Sequence, residues 1–166
     1  DLMKIGYRSV CFGSYVPWDV KKQVEIIGNE LGWKGEKVEG VPSEYSYEKI
    51  ECGMQGIRDY LKFIKRGYSR VSHLTSIDIR NGRLSREEGR KLIEQYEGKK
   101  PASLDVFLDY IGITEEEFIE YALKNQVHPF KLDAEQIKNL PKGEEVWDQK
   151  LWYKEPKCTD CNDCNS

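Results

Sequence analysis

No stretch of this 166-residue chain approaches the roughly 20 apolar residues needed to span a bilayer, and no signal-peptide core is present. The expectation is a cytoplasmic protein that does not enter a membrane. Histidine is scarce, with only His73 and His128. Internal repeats and low-complexity tracts are missing. Hydrophobic residues make up 39 % of the chain, too many for disorder throughout and enough for one domain with a real core. There is no basic excess either: 26 Lys and Arg stand against 29 Asp and Glu. An acidic chain of this size lacks the extended positive footprint that duplex nucleic acid demands. The chain opens at Asp1 directly into an apolar run, which predicts an interior piece of a longer protein.

The charge that is present is unevenly spread. Lys62 to Lys100 holds eleven Lys or Arg against five Asp or Glu, while the remainder is acidic, 15 against 24. A basic block on an acidic domain raises the local concentration of an anionic ligand. Its polar centre contains Arg70, Ser72, His73, Thr75, Ser76, Asp78, Arg80 and Arg83. Arginine presents a planar fork of donors suited to phosphate, and hydroxyls with Asp suit sugar hydroxyls. The competing reading is that Asp78 and Arg80 pair with neighbours and merely hold a loop. Alternation of Ile77 and Ile79 with Asp78 and Arg80 predicts a short extended piece or a tight turn ahead of Asn81-Gly82.

Periodicity and punctuation predict a mainly α domain. Arg8–Val16 reads as one strand stopped by Pro17. Asp19 caps a helix that carries Val20, Val24, Ile27 and Leu31 and stops at Gly32. Residues 32–46 read as a surface loop. The apolar stripe Tyr47, Ile50, Met54, Ile57, Leu61, Ile64 predicts a long helix to Arg66, with Gly53 and Gly56 marking close approach of another backbone. Ser85/Glu88, Thr114/Glu117 and Asp133/Gln136 have capping-box spacing, and Ser103 reads as a further cap. Three divisions follow: 1–17, the end of an upstream α/β domain; 18–141, a helical domain; 142–166, a tail in which Trp147, Trp152 and Tyr153 suggest docking.

Five cysteines in a cytosolic chain do not make a disulfide framework. Cys11 and Cys52 read as buried small hydrophobes. Cys158, Cys161 and Cys164 form C-x2-C-x2-C, the spacing of a structural zinc knuckle that needs a fourth ligand, with His128, Cys52 and Cys11 as candidates. The rival reading is an exposed, redox-sensitive tail, and an iron–sulfur cluster is a further alternative.

The strings DYLKFIKRGYSR and SIDIRNGRLSREEGRKLIEQYEG resemble the C-terminal half of N-acetyl sugar amidotransferases of bacterial surface-glycan biosynthesis. SYVPWDVKKQVEIIGNELGW and FLDYIGITEEEFIE fit in order, so the resemblance spans about Tyr7 to Asn125. It implies the PP-loop ATP pyrophosphatase superfamily, with an α/β ATP-binding domain before the helical one. The implied reaction activates the acetamido group of a nucleotide-linked sugar with ATP and Mg2+. Ammonia from a partner glutaminase then converts it to an acetamidino group. The SGGxDS-type phosphate loop this requires does not occur here, so ATP would bind upstream and the chain alone would be inactive. Two polar stretches depart from the family pattern: RDY at Arg58–Tyr60 where HDY is usual, and SRVSHLTS at Ser69–Ser76 where GRATDHAS is usual. Arg70, Ser76, Asp78, Arg80 and Arg83 match and are implied substrate contacts, with His73 added from its place in the block. Catalytic residues are not identified. The alternative reading is an RNA-binding or glutaminase-docking module.

Overall fold

A computed structural model of the chain describes residues 2–127, 129, 131–144 and 146. These fall into two compact units, Asp1–Gly35 and Glu36–Ser166. Among the described residues there are seven α-helices and no strand, so the domain is mainly α as expected. None of the helices is long and apolar enough to cross a membrane.

In the first unit Asp19 accepts a hydrogen bond from the Lys21 amide and opens α1, Val20–Leu31. Gly32 ends it at φ 69°, a conformation only glycine adopts cheaply. The expected strand over Arg8–Val16 is a correction: the segment contains only a 3-10 turn, Phe12–Ser14. A strand needs a neighbouring strand for its N–H and C=O groups, and the described residues supply none. Ile5, Val10, Phe12, Tyr15 and Trp18 are all exposed. Cys11 shares that exposure, and Cys52 is exposed as well, so neither is the buried hydrophobe expected.

The second unit has two apolar clusters. The first joins α2 (Gln55–Arg66), α5 (Leu104–Ile111), α6 (Glu115–Lys124) and α7 (Ala134–Lys138) through Ile57, Tyr60, Ile64, Leu108, Phe118 and Ile137. Tyr60 stacks on Phe118 with centroids 6.1 Å apart. The second joins α3 (Arg70–Arg80) and α4 (Arg86–Tyr96) to the segment before α2, using Val38, Val41, Tyr45, Val71 and Leu74. Residues 36–46 are therefore no surface loop, because Val38, Glu39, Val41, Pro42 and Tyr45 are buried.

Helix α2 starts at Gln55, eight residues later than the apolar stripe predicts. Lys49 takes a positive φ of 56°, which no helix accommodates, and Tyr47 turns inward against Tyr45 instead. All three predicted capping boxes are present, at Ser85/Glu88, Thr114/Glu117 and Asp133/Gln136. Thr114→Ala is expected to cost about 1 kcal/mol in urea unfolding, since it strips an N-terminal N–H of its acceptor. At Gly89 of α4 an added Cβ would lie 2.8 Å from Ile79 Cδ1, so the glycine allows α3 and α4 to pack closely.

Candidate functional site

The largest departure from the sequence reading is α3. The polar centre of the basic block is neither extended nor a turn but an eleven-residue helix. Its inward positions are Arg70, Val71, Leu74, Thr75 and Asp78. Spacing of three and four separates these from His73, Ser76 and Arg80 on the other side. The alternation of Ile77 and Ile79 with charged residues misled because one helical turn also places neighbours on different faces.

Two of the expected substrate contacts are committed to the interior. Arg70 Nη2 lies 2.6 Å from Asp59 Oδ2, with side chains 7 % and 14 % exposed. Arg70 also donates to the carbonyls of Glu48 at 3.0 Å and Glu39 at 3.2 Å. The ion pair is close but poorly directed: Asp59 Oδ2 and Arg70 Nε have no hydrogen-bond partner among the described residues. Asp78 accepts from the Tyr45 hydroxyl and from Arg83 Nε, both at 2.9 Å. Arg83 is thereby occupied from outside the helix. Burial, then the bond to Asp78, pushes the Tyr45 phenol well above its usual range, so it stays a donor. The Ser76 hydroxyl donates to the Ser72 carbonyl at 2.6 Å. His73 and Arg80 are exposed and form no hydrogen bond or ion pair among the described residues. Of the six residues the sequence nominated, these two are open to a ligand.

The N-terminus of α3 is held by a carboxylate from another helix end. Glu97 accepts from the amide and hydroxyl of Ser69 and from the amide and hydroxyl of Ser72. An anion at this position satisfies unpaired N–H groups and complements the helix dipole. Glu97→Gln is expected to lower unfolding stability by about 1.5 kcal/mol, the scale of charge-assisted bonds, with the change read from the urea midpoint.

The sequence reading missed a buried polar pair. Glu39 accepts from the Ser103 amide at 3.1 Å and hydroxyl at 2.6 Å, at the start of α5. Ser103 therefore does not cap its own helix; Glu39 does, across 64 residues of chain. Glu39 and Asp59 border a small cleft of about 60 Å3, together with Ser69, Tyr96 and Lys99. Burial raises the Glu39 carboxyl above its ordinary 4.5, against the opposing pull of the Ser103 bonds. Burial likewise raises Asp59 above 3.8, against the pull of Arg70. For carboxyls raised on folding, the native state binds more protons than the unfolded chain between the two pKa values. Stability therefore falls as pH climbs from the unfolded value through the folded one. Glu39→Gln mimics the protonated form and should flatten that decline as pH rises above about 4.5. Thermal unfolding across pH checks this, and an unchanged slope would show that Glu39 does not cause it. An acidic residue inside the apolar run Val38–Pro42 was the available signal for Glu39.

Among the described residues no group of three or more His, Cys, Asp and Glu could hold a metal. Cys158, Cys161, Cys164 and His128 lie outside the described residues, as do Trp147, Trp152 and Tyr153.

A buried ionic lock under α3, with Arg70 inside it, and an outer face that leaves His73 and Arg80 exposed define a small helical domain. Residues 39–153 match the family described as LPS biosynthesis protein WbpG-like, C-terminal domain. The match covers well over half the chain, and the chain belongs to that family. No curated protein and no solved structure gave a match.

Proposed function

We propose that this domain is the C-terminal part of an ATP-dependent amidotransferase of LPS biosynthesis, acting on a nucleotide-linked N-acetyl sugar. In this reading the acetamido oxygen is activated by ATP and then displaced by ammonia from a glutaminase partner, leaving an acetamidino sugar. Membership of the WbpG-like family supports the setting. The ordered resemblance from Tyr7 to Asn125 supports the reaction. The observation that carries the role of this domain is the placing of exposed Arg80 and His73, without partners among the described residues, on one face of α3. A guanidinium without a carboxylate partner among the described residues is suited to a diphosphate, and an imidazole about two helical turns away can donate to a phosphate or sugar oxygen. ATP and Mg2+ belong with a phosphate loop that this sequence lacks, so no activation step is assigned to residues of this chain. Zinc on Cys158, Cys161 and Cys164 is a separate proposal, tested by metal content of the purified chain.

The test is conversion of a UDP-N-acetyl sugar by the whole protein with ATP and an ammonium salt, read by mass spectrometry as replacement of oxygen by NH. Arg80→Ala should lower kcat/KM by about tenfold or more, the value of one charge-assisted contact, while leaving the unfolding midpoint unchanged. Full activity in that variant would remove α3 from the substrate site.

A further inference from the structure

The Glu36–Ser166 unit carries an apolar groove where α2, α5 and α6 meet. It has a volume of about 400 Å3 and is lined chiefly by Leu61, Phe107, Ile111, Phe118 and Tyr121, with Lys65 at its rim. Phe107 and Phe118 meet edge to face at 6.3 Å and form its floor. Leu61 and Ile111 remain 37 % and 42 % exposed, and Tyr121 and Tyr110 stand out beside them at 60 % and 77 %. The patch thus offers an aromatic-sized hollow together with protruding aromatic rings of its own.

Charge is divided over the same face. Helical spacing puts Arg58, Lys62 and Lys65 along the outward edge of α2, and Glu117 and Glu120 along that of α6. Lys65 and Arg58 make no ion pair among the described residues. Glu117 keeps its charge while accepting from Thr114 in the capping box, and Glu120 is paired among the described residues with Lys124 in an exposed i,i+4 pair, which exchanges readily. A partner of one charge sign would satisfy one edge and oppose the other. A second copy related by a twofold axis brings the basic edge of each chain over the acidic edge of the other, and the rings of each into the groove of the other.

We propose that this face is a twofold interface between two copies of the chain, centred on Ile111, Tyr121 and Lys65. Nothing in it depends on the amidotransferase reading. Sedimentation velocity on the 166-residue chain, from micromolar to near-millimolar concentration, tests it. The expected result is a reversible dimer whose Kd rises at least about tenfold in Ile111→Glu and in Tyr121→Ala, with helical circular dichroism unchanged. Lys65→Glu should weaken it as well, by loss of the cross-edge charge. A monomer throughout the range overturns the proposal and leaves the groove to another partner, such as a glutaminase. A dimer indifferent to Ile111→Glu and Tyr121→Ala overturns it too, because self-association then uses a different surface.

Discussion

Arg70→Met should cost about 4 kcal/mol of unfolding free energy, more than any other single substitution considered for this chain. Methionine keeps most of the length and apolar stem of arginine, so little volume is lost. What disappears is the cation 2.6 Å from the largely buried Asp59 carboxylate, and the donor for the Glu48 and Glu39 carbonyls. Removing one member of a buried pair leaves the other charge desolvated and unpaired, a larger penalty than the pair's net contribution. Asp59 would answer by rising further in pKa and taking up a proton. Asp59→Asn added to Arg70→Met should therefore recover part of the loss, about 1–2 kcal/mol, since the two changes are coupled. Urea unfolding of the four chains of that cycle measures both terms. A single-variant loss under about 1 kcal/mol would mean that Arg70 does not hold α3 against α2.

Gly56→Ala should cost about 3 kcal/mol, although alanine is the better helix former. A Cβ built at Gly56 would lie 2.0 Å from Glu39 Oε2 and 3.0 Å from Pro101 Cβ. The proline is backed by the turn into α5, so the carboxylate must yield. Its retreat breaks the buried bonds to the Ser103 amide and hydroxyl. Helix propensity would return only about 1 kcal/mol. Gly56→Ala combined with Glu39→Ala should be milder than Gly56→Ala alone in proportion to the clash relieved. A stabilised single variant would show that Glu39 can move freely.

The elements legible in the sequence are those set by local physics. The capping boxes at Ser85, Thr114 and Asp133, and Gly32 after α1, are signals whose donors and acceptors lie within a few residues. Legibility fails where the deciding partner is distant in sequence. Glu39 reaches Ser103, Arg70 reaches Asp59, and Tyr45 reaches Asp78, none of which leaves a spacing to read. Gly56 was expected to admit another backbone and in fact admits the Glu39 side chain and Pro101. The site was half legible for the same reason. Basic and polar content marked α3 correctly as unusual, but content alone cannot separate an arginine spent on a buried carboxylate from one left in water. Arg70 and Arg80 look alike in the sequence and have opposite fates in the fold.

That contrast is the central claim, and one calorimetric titration addresses it: a UDP-N-acetyl sugar into the 166-residue chain and into its Arg80→Ala variant. The account predicts saturable binding to the parent chain and an affinity at least about tenfold lower in Arg80→Ala, with both chains unfolding at the same urea midpoint. Equal affinity in the two chains, or no binding to the parent at millimolar sugar nucleotide, would contradict the assignment of the outer face of α3 to the substrate.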